Sequence, residues 1–156
     1  MEQKIKIISN KEVDNLYNDI KSLVEESRNR VYKTVNTEMI NLYWNIGKMI
    51  VDMQGGNEKA KYKDYITQEL SIRLTNNFGK GFSKRNLERM RKFYLYYPIA
   101  TTLLSQLSWS HYLELIKIDN DNKRNFYMHE CINSNWDVRE LQRQRDSLLY
   151  ERLTLS

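Results

Sequence analysis

Phe78-Gly-Lys-Gly-Phe-Ser-Lys-Arg-Asn-Leu-Glu-Arg-Met-Arg-Lys-Phe-Tyr-Leu-Tyr-Tyr97 is the stretch that decides how this chain folds and where its charge lies. Gly79 fits the position just past a helix, where glycine readily takes a left-handed conformation, and Gly81 adds a second permissive residue. Ser83 is suited to cap the helix that follows. Pro98 disfavours helix in the residue before it, so that helix is expected to stop at Tyr97. At 100° per residue Leu87, Met90, Tyr94 and Tyr97 share one face and are expected in the core. Arg85, Arg89, Lys92 and Tyr96 fall almost opposite, Lys84 and Arg91 flank the apolar side, and Asn86 lies near its border.

Residues 80–92 hold six basic side chains (Lys80, Lys84, Arg85, Arg89, Arg91, Lys92) against Glu88 alone. Their excess equals the net charge of the whole chain, +5, so the remaining residues balance. Glu88 can neutralise only one or two of its neighbours, and an uncompensated array within a few helical turns points to a polyanion as partner.

Working outward, a preceding helix is predicted from about Glu58 to Asn77, with Tyr62, Tyr65, Ile66, Leu70, Leu74 and Phe78 on its apolar side. Helix, glycine-containing turn and basic amphipathic helix together read as a helix-turn-helix-like unit over about residues 58–97. In that arrangement the second helix enters the major groove with its N-terminal residues. Arg85 and Arg89 suit guanine or phosphate oxygens, and Asn86 suits adenine. Ser83 and the first free amides suit a phosphate. Lys80, Lys84 and Lys92 are less directional phosphate contacts.

Upstream, residues 1–10 read as an N-terminal extension. From Lys11 to about Met53 apolar residues recur at helical spacing, with Asn10 placed to cap the series. One helix over that span would be about 60 Å long. Either it bends near Asn36-Thr37, Thr37 capping a second helix, or it needs a partner, for which a second copy is the natural choice. Gly55-Gly56-Asn57 is the clearest turn in the chain. Downstream, Ile99 to Leu107 form an uncharged connection with room for a small β-wing. Helices over about 109–118, 121–133 and 137–153 are separated by Asp119-Asn120-Asp121 and Asn133-Ser134-Asn135. With five Gly, one Pro and no alternating strand pattern, the expected fold class is an all-α, multi-helix domain over 11–156 with a long N-terminal helix or bent helix pair.

A single cysteine, Cys131, leaves no internal disulfide and suits a reducing cytoplasm. The first ten residues have too short an apolar run for a signal peptide. Residues 93–113 carry no charged side chain but include Pro98, threonines, serines and His111, which fits a buried core and not a bilayer span. Catalytic chemistry is poorly represented. His129 and Cys131 offer two of the ligands a zinc site needs. Ser110 and His111 are adjacent, so their side chains diverge on a helix. Gly79-Lys80-Gly81 lacks the flanks of a phosphate-cradling loop. Glu2-Gln3-Lys4 and Asp121-Asn122-Lys123 have the acid-x-Lys spacing of a magnesium nuclease without its strand. No pattern calls for a cofactor, a metal or a small-molecule substrate. Trp44, Trp109 and Trp136 lie among apolar residues and are expected as core anchors.

Five blocks together resemble the N-terminal domain of the YhcG-type PD-(D/E)xK nuclease family. They are Leu42-Tyr-Trp-Asn-Ile-Gly-Lys48, Phe78 to Tyr94, Leu107-Ser-Trp-Ser-His111, Trp136-Asp-Val-Arg-Glu-Leu141 and Tyr150-Glu-Arg-Leu153. Lys63, after Tyr62, stands where that pattern would have Gly. The resemblance implies a helical DNA-binding module that precedes a separate C-terminal nuclease domain, here absent, and it carries over no catalytic residue. The expected partner is therefore DNA, duplex or branched, with Lys80, Ser83, Lys84, Arg85, Asn86, Arg89 and Lys92 as the contacting set. The alternative is a protein-interaction or homo-oligomerisation module built on the long helix over 12–53, with a homodimer as its simplest form.

Overall fold

The structure, a computed structural model, describes residues 2–54 and 60–155, with side chains over 10–54 and 63–155. Its elements are α1 (Glu2–Gln54), α2 (Ala60–Phe78), α3 (Lys84–Tyr96), a 3₁₀ turn (Thr102–Gln106), α4 (Trp109–Leu115), α5 (Asp121–Asn133), α6 (Val138–Asp146) and α7 (Leu149–Thr154). Among the described residues there is no strand, and the stretch with room for a β-wing holds the 3₁₀ turn instead. No helix among them is long and apolar enough to cross a membrane. The predicted turn Gly55-Gly56-Asn57 and the predicted start of α2 at Glu58 lie outside the described residues.

The chain divides into two compact units, Met1–Thr37 and Glu38–Ser156. The first unit is helix throughout its described length. Asn10 lies inside α1 and not at its cap, because the helix already runs from Glu2 with no Pro or Gly to stop it. Thr37 does not cap a second helix either. Neither Asn36 nor Thr37 interrupts α1, since a β-branched threonine costs a helix only tenths of a kcal/mol, about 0.5. Every side chain from Asn10 to Val35 is exposed.

The second unit is organised around α3. Leu87 and Met90 are buried with Ile50, against Leu70 and Leu74 of α2. Phe93 and Tyr97 enter a larger cluster with Ile40, Tyr112, Leu115, Tyr127 and Leu141. Phe93 packs on Tyr112 (ring centroids 4.6 Å apart) and edge-on to Trp109 (5.2 Å). Each such buried aromatic contributes about 2–3 kcal/mol of apolar transfer. The buried arc of α3 is therefore wider than one amphipathic face. Phe93 is fully buried, while Tyr94, expected in the core, is half-buried and edge-on to Trp44. The cause is that α3 is covered from two sides, by α1 and α2 on one and by α4 on the other. On α2, Ile66, Leu70 and Leu74 turn inward, but Tyr65 and Phe78 remain exposed.

Local chemistry sets the helix ends. Ser83, Ser108, Asn120 and Asp137 each cap a helix by accepting from a backbone N–H three residues on. Gly79 (φ 80°) closes α2, its N–H donating to the Thr75 carbonyl at 2.9 Å. The helix predicted over 137–153 is two: Leu148 takes a left-handed conformation (φ 61°), which ends α6 and starts α7.

Gly47 of α1 meets the backbone of α3. A Cβ built there would lie 2.1 Å from the Met90 carbonyl oxygen. In an open helix Gly→Ala gains about 0.5–1 kcal/mol, but here the methyl would push two helices apart. Gly47→Ala is expected to lower the urea midpoint, with a loss on the order of 2–4 kcal/mol. An unchanged or higher midpoint would contradict this packing.

Candidate nucleic-acid interface

The basic segment begins in the turn between α2 and α3. Ser83 Oγ accepts from the Asn86 N–H at 3.2 Å, and Asn86 Nδ2 donates to the Gly81 carbonyl at 3.3 Å. Gly81 (φ 115°) makes that return of the chain accessible. Asn86 Oδ1 in turn accepts from Arg89 Nη1 at 3.2 Å. Asn86 thus braces the turn and aims Arg89, and its amide is already engaged within the chain.

The six cations separate by partner. Lys84 is ion-paired with Asp64 of α2, whose carboxylate hydrogen bond holds the ammonium pKa above its ordinary value. Arg91 Nε donates to Gln54 Oε1 at 2.8 Å, and Gln54 Nε2 donates to the Lys63 carbonyl (3.0 Å) and to Thr67 Oγ1 (3.3 Å). This polar knot joins the end of α1 to α2 and α3. Lys92 lies 3.6 Å from Asp119 and over the Tyr96 ring at 5.3 Å. Lys80 and Arg85 are exposed, and among the described residues neither has a carboxylate partner; Arg89 is half-buried. A cleft of about 550 Å³ runs beside these groups, lined by Lys63, Arg91 and Lys92 together with Asp64 and Glu88. Its charge is mixed. The unopposed positive charge gathers instead at the N-terminal end of α3, where the helix dipole has the same sign.

Tyr96 does not stand free as a stacking platform. Its hydroxyl donates to Asp119 Oδ1 at 2.9 Å, and the Arg124 guanidinium stacks on its ring at 3.7 Å. Arg124 is 3% exposed, donates to the Ile118 carbonyl at 2.7 Å and is ion-paired with Asp121. In the sequence Arg124 sits in a polar run that resembles any solvated helix start. Nothing local signals that it is buried, as Gln54 also is, or that Asp64 and Asp119 pair with the basic helix.

The residues with chemical potential have structural work. Ser108 and His111 form a reciprocal cap on α4. His111 Nε2 lies 2.8 Å from the Trp136 carbonyl, which can only accept, so Nε2 carries the proton and Nδ1 accepts from Ser108 Oγ at 2.7 Å. Trp44 Nε1 donates to the Tyr97 carbonyl at 2.7 Å, and Trp109 packs on Tyr43 and Phe93. His129 is exposed while Cys131 is buried, so they face apart on α5. Among the described residues no three His, Cys, Asp or Glu groups converge as a metal site. Asp121 and Lys123 are taken up by Arg124 and by Glu151 (2.5 Å). Glu2 and Lys4 lie outside the residues whose side chains are described.

A family model, the DUF1016 N-terminal domain, matches residues 19–152, which includes all of α2, α3 and the turn between them. The chain belongs to that family. Among curated proteins it is 30% identical over 174 residues to "Putative nuclease YhcG" of Escherichia coli (strain K12), a match covering 90% of this chain and 46% of the relative. The chain thus spans about half the length of that relative. No solved structure matches it with significance. Kinship with a nuclease-associated N-terminal domain therefore rests on sequence, and the matched residues include α3.

Two outcomes test this description. Burial, with Glu130 adding, pushes the Cys131 thiol up to about 12. The native chain is expected to resist alkylation at pH 8, labelling only when urea unfolds it; rapid native labelling would refute its burial. Arg124→Ala leaves the Ile118 carbonyl and the Tyr96 face uncovered, and a loss of about 2–3 kcal/mol in urea unfolding is expected.

Proposed function

We propose that the chain is a non-catalytic, DNA-docking module that works alongside a nuclease, with α2, the Gly79–Ser83 turn and α3 acting as a helix-turn-helix. The observation that carries the reading is the cation set at the start of α3. Lys80 and Arg85 are exposed without a carboxylate partner among the described residues, and Arg89 is aimed by Asn86. A protein that used this charge for its own stability would pair it, as Lys84 and Lys92 are paired. Membership of a family whose curated relative is named as a nuclease supports DNA as the polyanion.

Within this reading Arg85 and Arg89 make the directional contacts and Lys80 contacts phosphate. Ser83 and the amides it leaves free at the helix start receive a phosphate oxygen. Lys84 and Lys92 contribute only when DNA displaces Asp64 and Asp119, and Asn86 serves by positioning Arg89. Tyr96, clasped by Arg124, is withheld from base stacking, which favours duplex or branched DNA over single strands. A single buried, unreactive thiol suits work in the cytoplasm.

Three phosphates neutralised by Lys80, Arg85 and Arg89 predict a slope of about −2.7 for log K against log salt. Displacing both aspartates as well would steepen it toward about −4.5. Replacing Arg85 and Arg89 together with Ala is expected to weaken duplex binding on the order of tenfold to a hundredfold with helicity unchanged. Wild-type affinity in that double variant, across duplex, branched and single-stranded competitors, would overturn the assignment.

A further inference from the structure

We propose that α1 pairs antiparallel with the α1 of a second copy of this chain, about a two-fold axis at Val24. The surface concerned lies wholly within the first compact unit. Val13, Tyr17, Ile20, Val24, Val31 and Val35 fall within about 40° of one line along the helix, each between 44% and 62% exposed. They follow an eleven-residue repeat, with 13, 24 and 35 in one register, 17 and 28 in a second and 20 and 31 in a third. That period is close to the natural turn of the helix, so the stripe stays on one side without drifting away. Every other side chain from Asn10 to Val35 is exposed too. An isolated helix with this much apolar surface is poorly supported in water.

The spacing identifies the occupant. With Arg28 filling the one polar position, the steps along the stripe are 4, 3, 4, 4, 3 and 4, a palindrome about Val24. Reversing a second copy about that point sets Val13 against Val35, Tyr17 against Val31 and Val24 against itself. Ile20 faces Arg28, whose methylenes can lie along the seam while the guanidinium reaches water. A stripe that matches its own reversal is the signature of an isologous two-fold contact.

Charge selects the same orientation. Residues 12–26 hold five acids against Lys21 alone, whereas residues 28–33 hold Arg28, Arg30 and Lys33 with no acid. Parallel pairing in register would set each half beside its own sign. Antiparallel pairing sets the acidic half of one chain along the basic half of the other. Lys21 and Glu25 lie on the same flank of the stripe, and reversal brings Lys21 within two residues, about 3 Å along the axis, of the partner's Glu25. Over about 33 Å of helix the pairing removes on the order of 1,000 Å² from water, enough for a specific interface.

Sedimentation of the full chain at tens of micromolar, without DNA, should give twice the 18.9 kDa monomer mass. Val24→Glu places two carboxylates at the axis and should return the monomer, raising the dissociation constant at least tenfold. A wild-type monomer, or a Val24→Glu dimer of unchanged affinity, would overturn the pairing. Val13→Cys and Val35→Cys variants, co-expressed and mildly oxidised, should join 13 to 35 in preference to 13 to 13. The opposite preference would overturn the antiparallel arrangement. Dimer mass is read without DNA, so its failure and a failure of DNA docking are separate results.

Discussion

The second unit depends on how closely α3 approaches α1 at Gly47. A residue with no Cβ lets the Met90 carbonyl sit where any other side chain would begin. That contact lets Leu87 and Met90 close over Ile50 on one side while Phe93 and Tyr97 reach Tyr112 and Tyr127 on the other. A helix held this way buries Leu87, Met90 and Phe93 and leaves its other side to solvent. What remains outside runs from Arg85 through Glu88 to Leu95, and the basic side chains without a partner emerge near its N-terminal end. The packing requirement and the position of the candidate interface are two consequences of one close approach.

The charge on that strip is graded by its neighbours. Coulomb attraction between exposed pairs is weak in water, about 0–1 kcal/mol. The pairs Lys84–Asp64 and Lys92–Asp119 therefore do little for stability, but they divide the basic helix into compensated and uncompensated parts. The buried Arg124 has a different character. Its guanidinium satisfies a carbonyl, an aspartate and an aromatic face at once, as a buried cation must. It fixes the 118–121 segment against the C-terminal end of α3 and thereby closes off Tyr96. The polar N-terminal end and the clasped C-terminal end of α3 thus have separate physical roles.

The first unit poses the reverse problem. There a helix presents an apolar line and a strongly polarised charge pattern, and among the described residues of its own unit nothing covers either. Buried in the second unit, such side chains need no further partner. Exposed along an isolated helix, they call for one, and the palindromic spacing restricts which partner satisfies all positions together.

Local sequence by itself determined the helices and most of their ends. Ser83, Gly79 and Pro98 bracket α3 through short-range hydrogen bonding and backbone geometry, which need no distant residue. Concentration of the net charge in residues 80–92 was equally legible, because charge is additive along a chain. So was kinship with the DUF1016 N-terminal domain, since the marker blocks lie in the sequence itself. Errors arose where a boundary or a face depended on something remote. Phe93 is buried because α4 covers a second side of α3, and α6 ends early at a left-handed Leu148 that no Gly announces. Tertiary structure alone decided which cations are opposed, through Asp64 and Asp119. It alone withdrew Arg124 from solvent and required Gly47 to be glycine. Apart from the bonds of Arg124 to Ile118 and Asp121, these are contacts between residues far apart in the chain, and no periodicity or composition encodes the pairing of one helix with another.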